Sequence, residues 1–533
     1  MSEAASLGRS SGVMALGTLA SRATGFLRVI ALAAAIGLGP VSVAYNVANT
    51  APNIVYELLL GGVLTSVVVP LLVQAAREDE DGGVGLAQLL LTLVTVVLGV
   101  AALLGVLGAP LLARLFLGDD GPKRELATTF LRYFLPQIVF YGIGATATAI
   151  LNTRRRFGVS MAAPVLNNLV VIATCVVFTL LPDAPPGPDS VVLTGAQTTV
   201  LGVGTTLGVV VMTLALLPDL RRSGFRWRWR LGSHPALRRA VRLGAWVVVY
   251  VVANQLAYVV IVHLADAADF RSGVTAYQTA FILFQLPHAV VTVSVVTALV
   301  PQLATDAVDG ALDRLRAGIS QGMRLVGVIL LPAALCLVAI AQPLAQLVLD
   351  HGAAVSTDAR FVGSVLTAFA CGLLSFSAFQ LLLRVFYALQ DSRTPALVNI
   401  GCSVVNIAAD LVLFTVLDGR DRVVGLAVGH ALAYTVGVAV FARLLSRRLD
   451  GIDWYTVIRT LVRAGLAAVI AAIGAWGAAR LAVAWLGGGA AGAAGAVAAA
   501  VVVAVPLYVV SARRMELHEL DAVVHGVRSR LGR

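Results

Sequence analysis

Arg22 and Arg28 are the residues of this chain best placed to do chemistry. Both lie in its first long apolar stretch, SGVMALGTLASRATGFLRVIALAAAIG, residues 11–37. An arginine at the centre of a bilayer costs at least about 2.5–3.5 kcal/mol, so its presence there points to function. On an ideal helix six residues rise about 9 Å and turn roughly 120°, so the two heads line two edges of one cavity rather than a single stripe. Gly25, between them, is expected to loosen the helix. A guanidinium makes no bonds, but its planar fork of donors holds anions. The competing reading is that either arginine snorkels to the interface or pairs with an internal carboxylate. Glu57, in the second apolar stretch, is the nearest such acid. It reads equally as an arginine partner, a coupling site or a polar group on a cavity wall.

The elements that must carry these residues are membrane helices. Of 533 residues, 59% are hydrophobic and 13% charged, with a mean hydropathy of +0.90. That excludes a soluble domain of this length and predicts an all-α polytopic membrane protein. Fourteen apolar spans are expected, near residues 12–37, 42–75, 85–117, 126–152, 160–182, 191–217, 240–264, 273–304, 321–349, 361–389, 395–417, 423–446, 457–483 and 488–512. With the N-terminus in the cytoplasm, inner loops and termini hold 27 of the 39 Lys and Arg and outer loops hold 6. This asymmetry places both termini in the cytoplasm. The net charge of +11 is then an orientation signal, and a nucleic-acid partner is not expected. No cleavable signal peptide is expected. Cys175, Cys336, Cys371 and Cys402 lack metal or disulfide spacing and read as small core residues. No Walker loop, HExxH or cysteine–histidine metal pattern appears, so neither an enzyme, a metal nor a cofactor is expected.

The chain repeats itself. Pro70 to Pro164 and Pro301 to Pro395 are both 94 residues, an offset of 231 that Asn168 and Asn399 share and that Tyr45 and Tyr277 miss by one. VVVPLLVQAA (67–76) resembles ALVPQLATDA (298–307). Two six-helix lobes in a parallel pseudo-two-fold repeat follow, with a transporter-type site between them. The expected divisions are an N-lobe at 1–220, a basic and aromatic cytoplasmic linker at 221–239, a C-lobe at 240–450, two further helices at 451–512 and a cytoplasmic tail at 513–533. The linker's FRWRWR (225–230) reads as an interfacial anchor drawn to anionic lipid. The last two spans are rich in Ala and Gly, as close helix packing or a lipid-facing groove would allow.

Several strings resemble the MurJ (MviN) family of the MOP exporter superfamily: SRATGFLR (21–28), Pro52–Asn53, GG followed by VVVP (61–70), LNTRRRFG (151–158) and FYALQDSRTP (386–395). The resemblance runs over essentially the whole chain. It implies a MATE-like fold of two six-helix lobes around a central cavity, plus two C-terminal helices forming a groove for a lipid tail. It implies a flippase in the bacterial cytoplasmic membrane that moves undecaprenyl-pyrophosphate-linked peptidoglycan precursor, lipid II, from the inner to the outer leaflet. Arg22 and Arg28 match the first-helix arginines that the family assigns to substrate binding, here to the diphosphate. Cell-wall synthesis or division proteins are the protein partners such a flippase would have. Export of another lipid-linked oligosaccharide, MATE-like export of a small molecule, and a scaffold for wall-synthesis machinery are the competing functions.

The chain departs from the family pattern in places. It has Val43 where many members carry an acid, and Tyr56 and Glu57 where they carry basic residues. Its eighth span, YQTAFILFQLP (277–287), has Gln278 and Gln285 and no charge. The cavity candidates are therefore Ser21, Asn53, Glu57, Asn254, Gln255, Gln278 and Gln285. Arg154, Arg155 and Arg156 and the turn from Asp391 to Arg393 occupy matching inner loops. They would gate the cavity or fix topology, and topology is favoured. Asn168 and Asn399 read as helix–helix bridges. Asp410 reads as an ion-site or lobe-gating residue, or as one end of an interhelical hydrogen bond. Arg384 is expected to snorkel, and Arg132 and Arg480 to sit at the interface.

Overall fold

The computed structural model describes residues 20–21, 23–57, 71–72, 75, 79–118, 121–154, 156, 158–181, 191–232, 235–269, 271–349, 356–389, 391–487, 489–517 and 519–520. The chain is all helix and turn over these residues. In order the helices are α1 (Ala23–Ile36), α2 (Pro40–Glu57), α3 (Val84–Leu107), α4 (Ala109–Leu117), α5 (Gly121–Phe134), α6 (Gln137–Thr153), α7 (Gly158–Thr179), α8 (Gly195–Leu214) and α9 (Leu217–Arg222). They continue with α10 (Pro235–Ala268), α11 (Gly273–Val308), α12 (Leu312–Leu349), α13 (Ser356–Cys371), α14 (Leu373–Ala388), α15 (Arg393–Val416), α16 (Asp421–Arg448), α17 (Trp454–Leu486) and α18 (Ala490–Arg514).

Ten helical segments among the described residues are long and apolar enough to cross a bilayer. Counting α13 and α14, bent by 50°, as one crossing gives eleven. The remaining three of the fourteen expected spans fall on α1, α2 and α11. The apolar stretches of α1 and α2 extend beyond the described residues. Helix α11 is 36 residues long but carries Gln278, Gln285, Pro287 and His288 in its first half.

Local sequence explains the breaks between helices. Asp81 caps α3, accepting from the Gly83 and Gly85 amides at 3.0 and 2.7 Å. A capping box of Thr194 and Gln197 starts α8. Gly372 sets the bend between α13 and α14, where a Cβ would lie 2.7 Å from Ala431 Cβ. Only glycine lets α16 approach so closely there.

The chain divides into two compact units. The first ends at Gln255 and the second begins at Leu256, within α10. In the first unit the core gathers Leu90, Leu91, Tyr141, Ile150, Met212 and Phe225 from α3, α6, α8 and the segment after α9. In the second, α17 and α18 pack on each other and on α12. Their alanines meet at this seam, Ala464, Ala468, Ala471 and Ala475 against Ala496, Ala500 and Ala504. Small residues at spacings of three and four let the backbones approach. Close packing therefore takes up these alanines. Their larger neighbours, such as Val462, Leu466, Ile473 and Val502, stay exposed, as lipid-facing positions do in a multi-pass membrane protein.

The internal repeat reappears as equivalent packing. Tyr45 sits edge-on to Phe130 and Phe134, with ring centres 5.7 and 5.2 Å away. Tyr277 sits edge-on to Phe369 at 5.0 Å. The cysteines are less uniform than expected. Cys175 and Cys402 are buried, Cys336 is half-buried and Cys371 is exposed. The bend at Gly372 leaves Cys371 on the outside of the helix pair.

Candidate functional site

Arg28 is a charged residue of the first unit with buried polar side chains near it. It is half-buried on α1, and its charge acts on the Tyr45 and Tyr141 hydroxyls and on Cys175. The Tyr45 hydroxyl is the polar group beside it. The direction of the buried bonds follows from counting hydrogens. Thr205 donates its single hydroxyl hydrogen to Leu201 O at 2.7 Å. Tyr45 must therefore donate to Thr205 Oγ1, 2.8 Å away. That leaves the lone pairs of the Tyr45 oxygen beside the Arg28 charge. Tyr45 is 1% exposed and Thr205 2%, so this support is fixed by the core of α2 and α8.

The start of α1 is pinned separately. Asn168 on α7 donates to Ser21 O at 3.2 Å and Thr24 Oγ1 at 3.1 Å. The helix-to-helix bridge expected of Asn168 is thus present. Gly25 does not loosen the helix as expected. The helix runs unbroken through Ala23–Ile36, and at Gly25 a Cβ would make only an ordinary 3.5 Å contact with Asn168 Nδ2. Further along the same unit, Tyr141 donates to Asn53 Oδ1 at 3.4 Å and its ring lies 4.5 Å from that of Tyr56. Asn53 is exposed. Arg28 and Asn53 thus share Tyr141 as a neighbour, while Ser21 is tied through its carbonyl to Asn168 on α7. Arg22, Arg155 and the side chain of Glu57 lie outside the described residues.

The other site candidates are more dispersed. Gln278 donates to the Tyr258 hydroxyl within the second unit. Gln285, Asn254 and Gln255 are half-buried. Arg154, half-buried on the C-cap of α6, holds Ser223 O, and burial lowers its pKa from the usual guanidinium value. Arg156 pairs with Asp219 at 3.3 Å. Asp391 accepts from the Thr394 amide at 3.0 Å, Thr394 Oγ1 at 2.7 Å and Arg448 Nη1 at 2.7 Å. Burial alone would raise the Asp391 carboxyl, but these donors outweigh it and hold the pKa below the usual value. Arg393 is exposed.

Asp410 is fully buried and its partner is on its own helix. Asn406 donates to Oδ2 at 2.8 Å, so the bond is intrahelical rather than interhelical. Its other oxygen faces Gly429 on α16, where a Cβ would fall 2.0 Å away. Arg384 lies 5.9 Å from the Tyr387 ring centre and Arg480 4.9 Å from that of Trp476. Among the described residues no cluster of His, Cys, Asp and Glu could hold a metal ion.

Sequence reasoning missed the tyrosines. Tyr45 enters there only as a position near the repeat offset, and Tyr141 and Thr205 are not singled out. The available signal was a tyrosine in mid-span, since a buried phenol needs a polar partner. It also missed the ring cluster around His430, where Phe281, Phe369 and Tyr434 lie 5.4, 5.4 and 4.6 Å away.

The all-helical membrane fold, with a half-buried arginine inside one unit, is shared with solved membrane transporters. An inward-facing multidrug-resistance MATE transporter of the MOP superfamily covers 81% of this chain and 95% of its own, at a TM-score of 0.66 and 16% identity. A structure titled lipid II flippase MurJ, inward closed conformation, covers 94% and 99% at a TM-score of 0.76 and 17% identity. The sequence narrows the class. The profile of the family described as lipid II flippase MurJ matches residues 32–523, and the chain belongs to that family. A probable lipid II flippase MurJ of Haemophilus influenzae is 28% identical over 489 residues, covering 86% of this chain and 90% of its own. A lipid II flippase MurJ of Burkholderia cenocepacia is 26% identical over 424 residues, covering 78% and 80%.

Proposed function

We propose that this chain is a flippase that carries lipid II from the inner to the outer leaflet of the bacterial cytoplasmic membrane by alternating access, with both termini in the cytoplasm. What carries the reading is a half-buried arginine, Arg28, set beside the Tyr45 hydroxyl inside a membrane helix unit of a chain in this family. The diphosphate of lipid II is a dianionic group with several acceptor oxygens, and a guanidinium presents matching donors. A donor already oriented by a buried hydroxyl loses little freedom when the anion arrives. Arg28 and Arg22 bind the diphosphate, while Ser21 and Asn53 supply neutral contacts near it. Asn254, Gln255, Gln278 and Gln285 are the uncharged polar groups offered to the sugar and peptide. Rocking of two lobes about this site would then expose it to either leaflet. Arg154, Arg156 and Asp391, each bonded within its own unit, fix the inner loops rather than gate them.

The test is depletion of the protein followed by a leaflet-resolved assay of lipid II, with complementation by variants. Wild type restores transport, and Arg28→Gln at equal membrane abundance does not. If the precursor still reaches the outer leaflet after depletion in cells without a redundant flippase, the function is wrong. Full complementation by Arg28→Gln would remove only the site.

A further inference from the structure

A second cluster of arginines lies in the first unit, away from Arg28. Helices α4 and α5 pack as a hairpin, and a cavity of about 560 Å³ opens beside them. Arg114, Arg124, Glu125, Thr128 and Arg132 contribute to its lining. Among the described residues the lining thus carries three guanidinium groups and one carboxylate. Arg124, Thr128 and Arg132 are spaced by four, so they share one face of α5 and span about 12 Å along it. A different face is the packed one, with Lys123, Ala127, Phe130, Leu131 and Phe134 all buried. Apart from Lys123, helix α5 therefore turns apolar side chains to the core and an arginine stripe to the cavity.

The cavity's position narrows the ligand. Gly121–Thr153 forms one 33-residue apolar crossing. Arg124 is near its first end and Arg154 caps the other. With the Arg154 end in the cytoplasm, the arginine stripe lies toward the outer leaflet. Basic residues are disfavoured there by the positive-inside rule, so this cluster is not explained as a topology signal. The lining also has an apolar edge, Pro110 and Leu111, with Leu111 72% exposed. On neighbouring turns of α3 and α4, Leu104, Leu107 and Leu115 are exposed as well. A ligand here meets an anion-binding wall and a hydrocarbon-facing edge at once.

We propose that this cavity binds the phosphate head of an outer-leaflet lipid, its chains lying on the exposed leucines of α3 and α4. Arginine forks recognise phosphate oxygens through paired charge-assisted hydrogen bonds. A soluble anion would have no use for the exposed leucines. Two lipids carry this chemistry, an anionic phospholipid and the lipid-linked diphosphate after it has crossed. The outer-leaflet placement rests on the orientation proposed above, and the second source rests on the transport reading as well.

The test uses the purified full chain in detergent, titrated with short-chain phosphatidylglycerol and separately with undecaprenyl diphosphate, and read by native mass spectrometry. Arg124→Gln with Arg132→Gln removes two donors and should weaken binding of at least one probe by about tenfold or more. Arg28→Gln should leave the phosphatidylglycerol arm unchanged, which separates this site from the first. Glu125→Gln removes the only lining carboxylate among the described residues and should tighten binding severalfold. It serves as the test if the double variant does not fold. Weakening confined to undecaprenyl diphosphate names the crossed precursor as the source, and weakening of phosphatidylglycerol names the phospholipid. If neither probe loses affinity in the double variant, or Glu125→Gln changes nothing where the double variant is unfolded, the proposal is overturned.

Discussion

Replacing Tyr45 by Phe removes one oxygen and little else. The ring keeps its edge-on packing against Phe130 and Phe134, 5.7 and 5.2 Å away, so the core is not emptied. One buried hydrogen bond and one contact with a charge go. The bond to Thr205, 2.8 Å and fully buried, is a neutral pair worth about 0.5–1.5 kcal/mol. The contact with the Arg28 charge is worth at most what a buried hydrogen bond to a charged group is, about 1.5–3 kcal/mol. Arg28 is only half-buried and recovers part of its loss from water. The first loss acts on stability, about 1 kcal/mol. The second acts on how the guanidinium is held, and a remainder of half, roughly 0.7–1.4 kcal/mol, corresponds to a three- to tenfold loss of transport. The assay is the leaflet-resolved transport rate at matched protein level, alongside the thermal midpoint of the purified protein. Thr205→Val is the control, since it deletes the far end of the relay and leaves the Arg28–Tyr45 contact. It should cost stability but far less transport. Wild-type transport by Tyr45→Phe, or greater damage from Thr205→Val than from Tyr45→Phe, would refute the relay.

Gly429→Ala places a Cβ 2.0 Å from Asp410 Oδ1 and 3.4 Å from Asn406 Nδ2. With Asp410 fully buried it should destabilise by about 1–3 kcal/mol, read as a lower thermal midpoint, and Asp410→Ala in the same chain should relieve most of that cost. Asp391 titrates below its usual value of 3.8 in the folded protein. Its stabilisation is therefore present above that pH and fades as pH falls through the lower folded value. Thermal midpoints of wild type and Asp391→Asn should differ at neutral pH and converge on acidification below 3.8; a gap that persists there would assign the effect to something other than the carboxylate's charge.

Much of the architecture is visible in one dimension because the bilayer imposes a one-dimensional rule. A crossing helix must be apolar over about 20 residues and satisfy its own backbone. The 231-residue offset exposed the repeat for a related reason, since both halves solve the same packing problem. Tyr45 and Tyr277 carry it into structure as matching edge-on aromatic contacts. Arg28 stood out because charge in hydrocarbon is costly wherever the chain goes.

The sequence by itself determined the class, the repeat and the presence of a charge, Arg28, inside an apolar stretch. Each depends on residue type along the chain and on no particular neighbour. The tertiary structure decided the partners. Thr205 meets Tyr45 across 160 residues, and Asn168 meets Ser21 across 147. It also decided that Asp410 bonds within its own helix, that Gly25 leaves its helix intact, and that Arg114 joins Arg124 and Arg132 around one cavity. Such contacts require two helices at one depth and one rotation. Helical periodicity gives the face a side chain shares, whereas packing against another helix sets what that face meets.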